Sequence, residues 1–547
     1  MPTTPTQRLI ACAFTFAVLA TAPTFAGDAT WNQLSGTHDW DTAANWLPSD
    51  TFPNGAGEVA NLNIDITGSV QSVINQDITV GTLNWGDANG AQNWQIGGGG
   101  VAGTHTLIFE STTPGGDTFL NVTAVGTSTN VFLSTLNKVM LGGTSNLLWT
   151  AGVSGAASHV LNTNTVFDTN GNNVTITGAA NQRTAWNVFG DLQGDGTITY
   201  SGAGGINVVG TKSFAGTFVI NGSRSSGGLD FGGLSIGTRT NVAGLNPSGA
   251  IPDAAEIIIN GHIISNTIPA NRQSGGVVVV GDGVGVLTAN PGQRLTQNLI
   301  TFNGGSLDHR GALSDGSWSD AVQDTVAVMN FNCGYNQVSA ERVGVTTAGT
   351  YLNATTVQRG DGASLFARAD NWAGTRRFII GNANDFLIGA GGADDTTTKS
   401  IIPWIGVSNT YNPSNAAAQN PEGFTTHTAN GIRSLALATE YSTDLTAGAS
   451  HNVNTNSFAG MGGVDRTINA LRFTANNQQN IGEGLTLTVA SGGVFFALTT
   501  VTLASSIHQR TKLLTPARST SARPKASSGP SSASSTRSAR RSPAPAA

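Results

Sequence analysis

The chain has 547 residues, of which 71 are Gly and 49 Asn, but only five are Lys and 11% are charged. Gly and Asn accept positive φ at little or no cost, so tight turns abound, and the scarcity of Lys, Glu and Arg excludes long solvated helices. Taking the eight basic residues of the tail and Arg8 from the 26 basic residues leaves residues 27–504 with 17, against 32 acidic, a net of about −15 that excludes nucleic-acid binding by phosphate neutralisation.

The chain opens with a secretory pattern. Arg8 precedes an apolar stretch over 9–20, and Thr24-Phe25-Ala26 supplies the small residues that a signal peptidase needs. This predicts a signal peptide over 1–26, cleaved after Ala26, and a chain exported through the inner membrane to the cell surface or beyond. The stretch is too short to be a membrane anchor. Cys12 opens the apolar stretch rather than following it, which argues against lipid attachment. After cleavage Cys333 alone remains, so an intrachain disulfide is excluded. In Met329-Asn-Phe-Asn-Cys333 it alternates like a strand residue, which predicts a buried, apolar role.

Residues 27–72 read as an N-terminal cap. Trp31, Trp40 and Trp46 are close together and are followed by Pro48 and Pro53. A solenoid exposes the apolar end of its first coil, so large aromatics are expected to cover it. The competing reading is a stacking surface for sugar rings.

Residues 73–504 read as strand after strand. Short β-branched runs end in Gly or Asn: Asn173-Val-Thr-Ile-Thr-Gly178, Gly196-Thr-Ile-Thr-Tyr-Ser-Gly202, Gly216-Thr-Phe-Val-Ile-Asn-Gly222, Glu256-Ile-Ile-Ile-Asn-Gly261, Gly276-Val-Val-Val-Val-Gly281 and Leu299-Ile-Thr-Phe-Asn-Gly-Gly305. They begin near 173, 196, 217, 257, 277 and 299, and the wide gap holds a weaker candidate at Leu234-Ser-Ile-Gly237. A step of about 20 residues is the signature of coils that bury their apolar faces on one another. The expected fold is all-β: a right-handed parallel β-helix, the hand resting on the general preference of parallel crossovers. Looser loops are expected over 312–465, with a short helix or turn at 415–419. Regular alternation returns at Thr467, Leu485 and Val494.

From Ser505 the composition changes: Ser, Ala, Arg and Pro make up 31 of 43 residues, with no acid. Such a segment buries too little to offset its ordering entropy, so 505–547 is expected to be disordered. Two readings stand, a natural basic tail and out-of-frame translation of a GC-rich gene. The second makes the chain a truncated or frame-shifted one.

Sites for chemistry are sparse. The acidic candidates are Asp195, Asp282, Asp308 and the pair Asp394-Asp395; the basic ones are Arg310, Arg342 and Arg376-Arg377. Paired carboxylates for glycoside cleavage must face each other. Asp394 and Asp395 are adjacent in a Gly/Thr loop and read as solvated. Gly281-Asp-Gly-Val-Gly-Val-Leu287 is a single faint copy of a calcium nonapeptide and reads as a turn. His262 and His309 lack partners at ligand spacing. Arg359-Gly-Asp361 reads as chance in a Gly-rich chain. The expectation is therefore no catalytic, cofactor or metal residue, and no cofactor.

Leu192-Gln-Gly-Asp-Gly-Thr-Ile-Thr-Tyr-Ser-Gly202 followed by Ser213-Phe-Ala-Gly-Thr-Phe-Val-Ile-Asn-Gly222 resembles the autotransporter-associated β-strand repeat of exported bacterial proteins. So do Trp31…Trp40…Asn45-Trp46 with Thr79-Val-Gly-Thr-Leu83, and Ile402-Pro-Trp-Ile-Gly406 through Ser491-Gly-Gly493, so that the likeness spans most of 30–500. It implies a surface-associated β-helical passenger in adhesion or envelope structure, with no shared catalytic residues. Relatives usually end in an outer-membrane β-barrel or a Pro-Glu-Pro sorting segment, and neither pattern is read here. The resulting expectation is a structural, adhesin-like protein contacting extracellular polysaccharide or cell-surface components. The alternative is a β-helix that binds or cleaves polysaccharide, as a lyase or hydrolase.

Overall fold

The computed structural model describes residues 27–497, apart from 123–128, 152–157, 179–184, 203–204, 223–232, 238–248, 262–276, 281–285, 288–291, 296–298, 312, 315–319, 342–348, 370–371, 410–421 and 476–478. The signal peptide, the basic tail, the 415–419 helix, Asp282, Arg342, His262 and most of the Gly281–Leu287 segment lie outside the described residues.

Short alternating strands stack in parallel into two long sheets, and the chain passes between them in every coil. The first sheet takes thirteen strands in chain order from Ala29–Trp31 to Arg376–Ile380; the second runs from Gly36–Asp39 to Ile402–Ser408. Between 78 and 193 a third, shorter sheet joins them, with Ile78–Val80, Thr106–Phe109, Lys138–Leu141, Val166–Asp168 and Asp191–Gln193. This is a parallel β-helix. Among the described residues no helix is long and apolar enough to cross a membrane.

The runs of the sequence repeat belong to two different sheets. Those near 173, 196, 217, 257 and 299 are first-sheet strands, whereas Val277–Val280 and the weaker Gly233–Ile236 are second-sheet strands. A coil is therefore not a fixed step of 20. First-sheet strands begin at Val174, Thr197, Thr217, Glu256 and Leu299, so the coils here take 20 to 43 residues. The repeat looked steady because runs of both sheets share one composition.

Alternation fixes the core. On the first sheet the inward row is Leu83, Leu120, Trp149, Ile176, Tyr200, Ile220, Ile259, Phe302 and Phe331, in register from coil to coil and buried. No row is closed until its neighbours are in place, which makes stacking the source of stability. Gly196 and Gly216 open first-sheet strands. A Cβ on Gly216 would stand 1.9 Å from the Gly196 carbonyl oxygen, and one on Gly196 1.8 Å from that of Asn172. The Gly-Thr pairs of the repeat mark this backbone contact between coils.

The first end is closed as a solenoid end must be. Trp46–Leu47 pairs antiparallel with Ala29–Trp31 and covers the open edge of the first sheet, and Pro48 follows. Trp31, Trp40 and Trp46 are at most 1% exposed and pack edge-on, with ring centroids 4.9–5.0 Å apart. The Trp46 indole N–H donates to the Trp40 carbonyl at 2.7 Å, and that of Trp40 to the Pro53 carbonyl at 2.9 Å. Their faces are in the core, which removes them as a sugar-stacking surface.

Residues 312–465, which read as looser, contain the two longest strands, Val322–Cys333 and Thr350–Arg359. Asp324 stands at an inward position of the first and breaks the apolar pattern there. Beyond Ser408 the direction changes. Gly423–Thr428 pairs antiparallel with Ile402–Ser408, and Gly431–Ser434 pairs antiparallel with it in turn. A second, small parallel unit follows: Asn452–Thr455, Ala470–Phe473 and Val494–Phe496 form one sheet, Arg466–Ile468 and Leu487–Val489 another. Its own core includes Val453, Met461, Ile468 and Leu487. Ile401, Phe424, Tyr441 and Ala470 pack together between this unit and the antiparallel strands.

Candidate binding surface

The outward face of the first sheet carries one polar residue per coil at one register. The row is Thr30, Asn61, Asn84, Asn121, Thr150, Thr177, Ser201, Asn221, Asn260 and Asn303, and Asn332 joins its end by a side-chain bond across a slip in register. The side-chain amides bond along it. Asn84 donates to Asn61 at 2.7 Å and Asn121 to Asn84 at 2.9 Å. Further on, Asn260 donates to Asn221 at 2.6 Å, Asn303 to Asn260 at 2.7 Å and Asn332 to Asn303 at 2.9 Å. An amide has two N–H donors and two acceptor lone pairs. One of each is used along the row by Asn84, Asn221 and Asn260, leaving one N–H and one lone pair on each for a ligand, whereas the Asn303 oxygen accepts from both Asn332 and the Cys333 thiol.

Two residues earlier in each strand lies a second outward row: Thr82, Phe119, Leu148, Thr175, Thr199, Val219, Ile258 and Thr301. Phe119 is 39% exposed. Neither row contains a charge. Acids appear in a flanking row at Asp117 and Glu256, and Glu256 accepts from the Thr301 hydroxyl at 2.7 Å. At the usual interstrand spacing of about 4.8 Å, ten steps extend roughly 48 Å. The Asn that close the runs Gly216–Gly222, Glu256–Gly261 and Leu299–Gly305 are the last outward positions of their strands.

The charged candidates sit elsewhere; Asp308 and Arg310 meet, but the others are not gathered with them into one site. Asp308 and Arg310 form an ion pair at 2.6 Å on the strand Ser306–Arg310, with the Ser339 hydroxyl donating to Asp308 at 3.0 Å. Between them His309 turns inward and interrupts the apolar row that runs from Ile96 through Val280. It is wholly buried against an internal ion pair that no spacing in the sequence announces. Arg294 and Asp324 meet at 2.9 Å, and His309 Nε2 lies 2.7 Å from the same Asp324 oxygen. The Arg294 and Leu295 backbone N–H groups donate to the other oxygen. Desolvation opposes the Asp324 charge, but Arg294 and these donors outweigh it and hold its pKa well below the usual range. Burial lowers that of His309, so the ring is neutral and its Nε2–H donates to Asp324. These groups are 0–1% exposed, which removes them from any solution chemistry.

Asp394 is 60% exposed and is gripped by Lys399 at 2.8 Å and Arg433 at 2.7 Å; those bonds lower its pKa. Arg433 also pairs with the buried Glu440 at 2.7 Å, and Asp395 accepts from Thr439 at 2.8 Å. The loop is thus anchored onto the antiparallel strands, not simply solvated. Arg376 is buried, Arg377 lies over the Tyr351 ring at 4.5 Å, and Asp195 is exposed. The Arg359 guanidinium lies 5.4 Å from the Trp404 ring centroid. Cys333 is exposed, contrary to the alternation with Met329 and Phe331. The pairing slips by one residue between Phe302 and Asn303, so Asn303 faces Cys333 in register and the strand end turns outward.

Among the described residues no group of three or more His, Cys, Asp or Glu is placed to hold a metal ion. No family model, curated protein or solved structure matches this chain.

Proposed function

We propose that this chain is an exported, structural β-helical protein whose first-sheet face adheres to uncharged polysaccharide. The observation that carries this reading is the uncharged row from Thr30 to Asn332, bonded amide to amide from Asn61 to Asn121 and again from Asn221 to Asn332. Sugar hydroxyls both donate and accept, so they match amides that keep one N–H and one lone pair free. Thr methyls and Phe119 supply apolar ground for ring faces. The amides are already ordered by their neighbours, so binding does not have to immobilise them. A body of net charge about −15 disfavours polyanionic chains. Export and surface location rest on the leader pattern and on the resemblance to passenger repeats.

A panel of neutral and acidic polysaccharides presented to the chain from residue 27 onward tests the reading. Retention of neutral chains with no change in polymer length is the expected result. Shortening of any polymer would replace adhesion by a glycan-cleaving activity, and retention of acidic chains alone would displace the ladder as the contact.

A further inference from the structure

Amide and apolar side chains run side by side along the first sheet. Asn61, Asn84 and Asn121 form one bonded tract, and Asn221, Asn260, Asn303 and Asn332 a second. Two residues earlier in the same strands stand Val59, Thr82 and Phe119 beside the first tract, and Val219, Ile258 and Thr301 beside the second. Phe119 is exposed and the other five are half-buried, so all six reach solvent. Two strand residues cover about 7 Å, which is the distance between the rows. On the other side of the apolar row stand Asp117 and Glu256. Each tract is thus a narrow apolar strip with a hydrogen-bonding border of amides.

A sugar ring has the same division. When every substituent is equatorial, C–H groups line both ring faces and the hydroxyls lie round the rim. Such a ring laid flat on the strip turns a C–H face to Phe119, Val219 or Ile258 and a rim hydroxyl to the amide beside it. Linkage then decides whether the next ring falls on the next rung. A β-1,4 bond between all-equatorial sugars leaves both bridging bonds equatorial. The chain is then a straight, flat ribbon that advances per sugar by slightly more than the interstrand spacing of about 4.8 Å. Each ring meets its own rung, and the small excess stays far below one sugar within tracts this short. Successive rings are turned over, so the amides meet the two rim edges alternately, and both edges carry hydroxyls. An α-1,4 bond has an axial arm and a β-1,3 bond sets successive rings at an angle. Both curl the chain into a helix that leaves a straight strip after a few rings.

Resting on the adhesive reading of this face, we infer that its ligand is an unbranched β-1,4-linked chain of uncharged, all-equatorial hexoses, glucose being the simplest. The chain lies along the sheet, across the strands, with one sugar per rung. Its ring faces cover the apolar row, and its rim hydroxyls exchange hydrogen bonds with the N–H and lone pair that Asn84, Asn221 and Asn260 each keep free. No charged side chain lies beneath it, since Asp117 and Glu256 stand beside the strip.

Glucose hexamers of one composition and three linkages separate this inference from adhesion as such. The β-1,4, α-1,4 and β-1,3 hexamers are immobilised and presented with the chain from residue 27 onward. The β-1,4 hexamer is expected to hold it at least about tenfold more tightly than either isomer. It should also outdo the β-1,4 dimer by about as much, because each further sugar meets a further rung. Phe119→Ala with Asn260→Ala, one change in each tract, is expected to weaken that hold about tenfold, with the far-ultraviolet strand signal unchanged. Equal hold, or none, on the three hexamers by a chain that retains neutral polysaccharide overturns the inference and leaves adhesion standing. So does a preference for the α-1,4 or β-1,3 hexamer, a β-1,4 hexamer held no more tightly than the dimer, or undiminished hold in the double variant. If no neutral polysaccharide is retained at all, the adhesive reading falls and this inference with it.

Discussion

At the scale of single residues, the Arg294–Asp324–His309 cluster contributes to the behaviour in acid. In the unfolded chain His309 protonates near its ordinary value of 6.5; in the folded chain burial keeps it neutral to lower pH. Below 6.5 the unfolded state thus binds more protons, and stability falls as the pH falls. Asp324 acts in the same direction further down: its folded pKa lies below the ordinary 3.8, so its contribution is complete above that value and is lost as the pH drops through the folded pKa. Denaturant titrations at pH 7.5, 6 and 5 should show this loss, at most about 1.4 kcal/mol per pH unit for one group. His309→Gln, which keeps a donor for Asp324 but does not titrate, should lessen the slope between 6.5 and 5, the remainder coming from His427, whose pKa burial also lowers. Asp324→Asn leaves a buried guanidinium without its counter-charge and should cost about 3–5 kcal/mol at neutral pH. None of this was legible beforehand: Arg294 and Asp324 are 30 residues apart, and only the stacking of coils brings them together.

At the scale of the element, the strand is the unit the sequence encodes best. Gly216–Gly222 was legible as a strand from β-branched alternation bounded by Gly, and Thr217–Gly222 is one. Its membership was not legible, because a first-sheet run and a second-sheet run such as Val277–Val280 obey the same pattern. Nor did alternation distinguish an Asn that ends a strand from one that makes a turn, since both stand beside Gly. Cys333 was misjudged because a register slip reverses faces without leaving a mark in composition. Two outcomes are expected of the elements. Gly216→Ala sets a methyl group against the backbone of the preceding coil and should cost about 3 kcal/mol or more in thermal or denaturant unfolding, from strain between coils. Asn84→Ala and Asn260→Ala, by contrast, remove exposed or half-exposed ladder members. Each should change stability by about 1 kcal/mol or less while weakening retention of neutral polysaccharide in the same assay.

At the scale of the whole molecule, the cap was the most legible feature. Three close-set Trp beside Pro announced an apolar end to be covered, and all three are in the core. Trp40→Ala should cost about 3–5 kcal/mol and should raise aggregation, read by light scattering during heating, because the first coil then stands open. Rows of Asn, Thr and Ser turned to solvent follow from stacking strands of this composition; which residues share a row was not legible, because that is a property of register, set only once every coil is in place.

Coils of unequal length share one rise. The chain spends 39 residues between Thr217 and Glu256 but 20 between Thr197 and Thr217, and each passage adds a single rung to the first sheet. Extra residues therefore add no length to the sheet. The ladder is a ruler graduated in rungs, indifferent to how much chain lies between the marks. A polymer lying along it would gain contacts rung by rung, so its hold would grow with the number of rungs it spans and with nothing else about the chain's length.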